Sequence, residues 1–148
     1  MSDPIYIMSK EEQDKQRSAA KLAAATLKHA MENTKVIIIA SLILQIGMTL
    51  DDVDEIVHNF IISHDSYPSA IDYMHFPKSV CTSVNEVVCH GVPNDYKLLD
   101  GDYLNIDVVC HLNGHHGDNS GMVLLGNVHP DIQKLVKLTY VTIIELSD

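Results

Sequence analysis

Asp107 and Asp118 are the residues best placed to do chemistry together, and a hairpin is what would join them. From Tyr103 to His111 the chain alternates, with Leu104, Ile106, Val108 and Cys110 on one face and Asn105, Asp107 and Val109 on the other. That is the period of a half-buried strand. Asn113-Gly114 follows, the pair favoured for a two-residue type I′ turn because both central positions need positive φ. Such a turn sets Asp118 opposite Val109 and leaves Asp107 diagonal to Asp118 on the same face, at about 7–8 Å. Carboxylates so spaced cannot bond each other, but they can hold metal ions between them. The competing reading makes Asp118 a solvated residue near the hairpin end. Asp107 resists that reading, because Ile106 and Val108 flank it and a mid-strand carboxylate is unfavourable unless solvated, paired or metal-bound. His111 and His116 pair in the same register and on the same face. They are either imidazole ligands or a solvated pair near the turn.

The elements that must carry these residues follow from periodicity. Ser9-Lys-Glu-Glu12 matches a capping box, and Ala19, Leu22, Ala23, Leu27, Ala30 and Met31 recur at helical spacing, which predicts a helix over about 10–32. Thr49 with Asp52 marks a second helix start, followed by Leu50, Val53, Ile56, Val57, Phe60 and Ile61 on one face. Residues 67–77 read as loop, and Ser79–Ser83 and Glu86–His90 as short strands. The hairpin comes next, its return strand ending near Gly126. His129-Pro130-Asp131 then opens a last helix in the pattern that places Pro early. Helices, then strands, then a helix, without βαβ alternation, predict an α+β fold with an antiparallel sheet.

Bulk properties narrow the function. A chain of 148 residues is enough for one domain with a real core. Ten basic against twenty acidic residues give a net charge of −10, which speaks against nucleic acid as a partner. Three cysteines, Cys81, Cys89 and Cys110, without zinc-finger spacing suit a reducing compartment. The start resembles neither a secretory signal nor an Arg-rich transit peptide. Val36–Ile46, the most apolar stretch at 11 residues, is too short for a bilayer, which needs about 20. It reads as a core element, and no membrane partner is expected.

A resemblance sharpens these readings. The run FPKSVCTSVNEVVCHGVP from Phe76 to Pro93, then DGDYLNID ending at Asp107, then NGHHGDNS from Asn113, closely resembles type I methionine aminopeptidases, with the motifs in the right order. The Cys-His-Gly-Val-Pro run separates the chain from prolidases and creatinases, which share the pita-bread fold. Residues 61–68 and 125–128 look nearer the mitochondrial-type members than the zinc-finger-bearing cytosolic ones, so the expected setting is cytoplasmic or mitochondrial. The resemblance implies a site for two divalent metal ions (Co, Mn, Fe or Zn), with Asp107 and Asp118 as ligands. His111 and His116 fall at non-ligand positions of that site. His90 matches the histidine that contacts the substrate beside the scissile bond and helps to stabilise the tetrahedral intermediate. Otherwise it would read as a hydrogen-bonded histidine at a Gly-Val-Pro turn. Tyr73, Phe76 and Cys81 match the pocket for the methionine side chain, a soft apolar lining that suits a thioether; the plain alternative is core packing. The implied partners are peptide or protein N-termini beginning with Met.

The departures are as informative. The family fold has two pseudo-symmetric halves, and this chain resembles little more than the first. The second half supplies a His and two Glu ligands and another catalytic His, and neither His129 nor Glu145 lies in a matching motif. The Val36–Leu44 run looks inserted between the first two helices. Residues 142–148 would end within a helix that packs on the other half, as an incomplete or misassembled gene product would. The chain is therefore expected to be a single, truncated catalytic domain over 1–148. Its expected function is metal-dependent removal of the initiator methionine, with little activity from these residues alone. The alternative is an inactive fragment or pseudo-enzyme that binds peptides or proteins. Self-association through an exposed half-core, with two copies mimicking both halves, is a third arrangement.

Overall fold

The computed structural model describes residues 5–34 and 47–145. The apolar Val36–Ile46 run lies outside the described residues. Helix α1 spans Lys10–Asn33 and α2 spans Leu50–Ile62, and both begin in the capping boxes that their sequences announce. In α1, Glu12 N–H donates to Ser9 Oγ at 3.3 Å while Ser9 N–H donates to Glu12 Oε2 at 2.8 Å. In α2, Thr49 N–H donates to Asp52 Oδ2 at 2.6 Å and Asp52 N–H to Thr49 Oγ1 at 3.1 Å. Each box satisfies donors that a helix start leaves orphaned.

Four antiparallel strands follow: β1 (Tyr67–Pro68), β2 (Cys81–Val84), β3 (Tyr103–Leu112) and β4 (His115–Leu124). Helix α3 (Pro130–Glu145) closes the chain order. Strand β3 is central, with β4 along one edge and β2 and β1 sharing the other at successive stretches. Asn113 and Gly114 both have positive φ, 53° and 83°, so the turn is the expected two-residue one. Val109 pairs with Asp118 and His111 with His116. The hairpin register is the one predicted.

One sheet face is the core. Leu104, Ile106, Val108 and Cys110 are fully buried against Leu22, Ala23, Leu27 and Ala30 of α1 and Val53, Val57 and Ile61 of α2. Gly117 opposite Cys110 permits the close approach, because a Cβ there would press into the Ala19 carbonyl of α1. Period two then puts Asn105, Asp107 and Val109 on the other face. Burying one face fixes which residues the other presents.

Three local expectations differ. Glu86–His90 forms no strand: Asn85 turns the chain at φ 51°, Val87 N–H bonds the Val84 carbonyl, and Val88 is 94% exposed. The neighbouring strand begins two residues later than expected, at Cys81, and runs to Val84. Tyr67–Pro68, read as loop, pairs with His111 and Cys110. Each difference reflects a partner supplied by β3 or a turn that local composition does not encode.

Candidate metal centre

The outward face of the hairpin forms the floor of a cavity of about 690 Å³. Asp107 and Asp118 line it together with His90, Tyr73, Phe76 and Cys81. All six residues to which the resemblance gives a site role thus line one cavity. Cys81 pairs directly with Asp107 across β2 and β3, while Asp118 lies diagonal to Asp107 across β3 and β4. Burial pushes the Asp107 carboxyl above the ordinary aspartate range, the charge of Asp118 pushes it further, and His90 partly offsets this. Burial, followed by the charge of Asp107, lifts the Cys81 thiol to about 11. Cys81 is therefore a neutral, soft wall beside the carboxylates, not a thiolate nucleophile.

His90 is held there by its backbone. It sits in the left-handed region at φ 52°, and Gly91 follows it against β2. Thr82 N–H donates to the Gly91 carbonyl at 2.8 Å and Gly91 N–H to Ser83 Oγ at 3.1 Å. A Cβ at Gly91 would collide with the Thr82 carbonyl, so only glycine lets the strap lie this close. The turn before it is braced by buried Asp102, which accepts from Asn85 Nδ2 at 2.8 Å, from Tyr96 OH at 3.0 Å and from Leu99 N–H at 2.8 Å.

The opposite wall is tethered to α2. Lys78 Nζ lies 2.7 Å from Asp51 Oδ1, Ser79 N–H donates to Asp54 Oδ1 at 2.7 Å, and His58 Nδ1 lies 2.8 Å from Ser79 Oγ. These contacts hold the segment between Phe76 and Cys81. Ahead of it Asp72, Met74 and His75 all have positive φ, at 63°, 48° and 68°, in a tight turn that carries Tyr73. Ser69, Met74, His75, Val92 and His116 also line the cavity, and the sequence reading named none of them as pocket residues. Loop residues carry no periodic signal; His116, whose parity with Asp118 was readable, is the exception. His111 does not line the cavity.

An antiparallel sheet wrapped by helices on one face, with paired carboxylates and a histidine facing a cavity on the other, is the arrangement of one half of the pita-bread fold. The chain belongs to Metallopeptidase family M24, which matches residues 14–146. It is similar to "Methionine aminopeptidase 1D, mitochondrial" of Danio rerio, at 46% identity over 90% of this chain and 37% of that protein. It is also similar to the methionine aminopeptidase of Rickettsia prowazekii, at 40% identity over 92% of this chain and 49% of that protein. The crystal structure of methionine aminopeptidase from Rickettsia prowazekii superposes with a TM-score of 0.85 at 39% identity, over 95% of this chain and 53% of that one. The chain spans only about a third to a half of the length of these relatives. Its fold is the first half of the pita-bread fold, as the motif resemblance implied.

A metallopeptidase family requires divalent metal, and Asp107 and Asp118 suit it in kind. They are hard oxygen donors facing one cavity, and a cation between them would relieve the repulsion and burial that raise the Asp107 carboxyl. Two donors fall short in number. Among the described residues no group of three or more His, Cys, Asp or Glu side chains is arranged to hold a metal. No helix among them is long and apolar enough to cross a membrane.

Proposed function

We propose that this chain carries the first-half share of a methionine aminopeptidase site, acting on peptide and protein N-termini that begin with Met. The observation that carries the reading is the convergence of Asp107, Asp118, His90, Tyr73, Phe76 and Cys81 on one cavity. In this reading Asp107 and Asp118 are the ligands contributed to two divalent ions, with Mn²⁺ and Co²⁺ the natural probes. Such ions, when bound, would supply electrophilic polarisation of the scissile carbonyl and lower the pKa of a bound water towards about 7. Tyr73, Phe76 and Cys81 receive the methionine side chain, the neutral thiol and aromatic faces suiting a polarisable thioether. His90, positioned by its backbone and by Gly91, faces the bond after that residue and stabilises charge that develops on its oxygen.

The residues described here hold only part of this machinery, so the 148-residue chain should bind Mn²⁺ weakly and release no appreciable Met from Met-Ala peptides. Fixed positioning alone is worth about 7–11 kcal/mol of barrier lowering, and two carboxylates do not fix a metal pair. The test is complementation: the second half of a relative, supplied in trans, should restore Met release, and Asp118→Asn should abolish it. Robust release by the chain alone, purified free of host aminopeptidase, overturns the half-site reading. The names of the similar proteins from Danio rerio and Mus musculus favour a mitochondrial over a cytoplasmic setting, which organelle fractionation decides.

A further inference from the structure

We propose that His111 and His116 form a second cation site, suited to one borderline transition ion such as Ni²⁺ or Zn²⁺ and separate from the carboxylate pair. The two residues stand directly opposite each other on β3 and β4. Their ring centroids are 4.9 Å apart and their planes are inclined by 56°. An ion bound by two imidazoles sits about 2.0–2.1 Å from each nitrogen and thus about 3.2 Å from each ring centroid. A tetrahedral angle at the ion then separates the centroids by about 5 Å. The rings already meet that separation.

His116 is also oriented. Its Nδ1 lies 2.9 Å from Ser69 Oγ, so the tautomer that donates from Nδ1 leaves the Nε2 lone pair for an ion. A polar contact on the nitrogen opposite the ligating one is the usual support of a metal-bound histidine. Ser69 is itself anchored, its N–H donating to the Val109 carbonyl at 2.9 Å. His111 is fixed at the backbone by pairing with Tyr67 and by Ser66 Oγ donating to its carbonyl at 2.6 Å. His111 therefore stands on a strand with partners on both sides, while His116 stands on the edge strand β4 with its ring held by Ser69. Ligand softness separates the two sites: imidazoles favour Ni²⁺, Cu²⁺ and Zn²⁺, whereas carboxylates suit Mn²⁺ and Mg²⁺. Water completes the coordination sphere. His116 lines the cavity and His111 does not, which puts the ion at the cavity rim.

The test titrates the untagged full chain with Ni²⁺ by calorimetry and reads the histidine ring signals by NMR. One tighter Ni²⁺ per chain is expected, distinct from any weak binding at the carboxylate pair, with paramagnetic broadening at that tighter step centred on His111 and His116. Binding should weaken at least tenfold in His111→Gln and in His116→Gln. It should stay within about twofold of the parent in the Asp107→Asn, Asp118→Asn double variant. Should a Gln variant fail to fold, the broadening pattern of the parent chain still decides. Broadening centred on His90, unchanged affinity in the Gln variants, loss of binding in the Asp double variant, or no saturable binding would each overturn the proposal.

Discussion

Asp107→Asn should make the metal-free chain more stable while it removes Mn²⁺ binding. Asp107 lies mid-strand between buried Ile106 and Val108, is itself half-buried, and shares its face with the like-charged Asp118. Asparagine is nearly isosteric and keeps one acceptor, but it carries no charge for burial or for Asp118 to penalise. Cross-strand pair terms run to about 0.2–1 kcal/mol, and partial exposure argues for the lower part of that range. For a chain of this size about 1 kcal/mol moves Tm by about 2–4 °C, so the expected gain is about 0.5–3 °C at pH 7. The pH dependence has a definite sign. The folded-state pKa of Asp107 is raised by burial and then by Asp118, so the folded state takes up its proton more readily than the unfolded state. The penalty is therefore absent at low pH and appears as pH rises through the raised value. The advantage of asparagine should be full at pH 7 and should shrink as pH falls towards about 4, near the unfolded aspartate pKa. Thermal unfolding by circular dichroism at both pH values, with EDTA present, measures this. Calorimetry with Mn²⁺ supplies the second arm. An Asn variant less stable than the parent at pH 7, or one that keeps the parent's Mn²⁺ affinity, refutes the assignment of Asp107 as a cation ligand.

Other perturbations probe the scaffold. Gly91→Ala forces its Cβ into the Thr82 carbonyl; it should cost about 1–3 kcal/mol by overpacking and lower activity in the complemented enzyme, which denaturant unfolding and Met release would measure separately. Asp72→Gly and His75→Gly replace residues at φ 63° and 68° and should each stabilise by about 0.5–1 kcal/mol, the left-handed penalty less the entropy cost of glycine. A loss of stability in both would show that their side chains do more than fill the turn. The Glu12 carboxyl is held at about 2, chiefly by the hydrogen bond from Tyr6 and then by Ser9. A depressed folded value means stability that is present above the unfolded pKa and lost as pH falls from about 4.3 towards about 2. Glu12→Gln should flatten the urea midpoint across that window, and an unchanged slope would count against the Glu12 carboxylate as its source.

What could be read without coordinates was local or short-range. Capping boxes at Ser9 and Thr49 start their helices because orphaned amides need acceptors within three residues. Asn113-Gly114 dictates its turn because few residues tolerate positive φ, and that one turn, with period two, determines that Asp107 and Asp118 share a face. The ordered motifs around Cys81, His90 and Asp107 identified the family before any geometry did. Tertiary structure decided what lay beyond such rules. Glu86–His90 is a strap and not a strand, because Asn85 turns the chain and Asp102, seventeen residues away, braces it. Tyr67–Pro68 is a strand only because β3 offers it a free edge. Met74 and His75 reach the cavity through a turn of unusual backbone angles that leaves no trace in hydrophobic pattern, and Ser69 reaches it through its bond to the Val109 carbonyl. The distance between the His111 and His116 rings likewise depends on rotamers and on Ser69, contacts that form only when loop and hairpin pack together. Short-range geometry is written in adjacent residues, whereas the shape of a cavity depends on segments brought together by burial of the opposite sheet face.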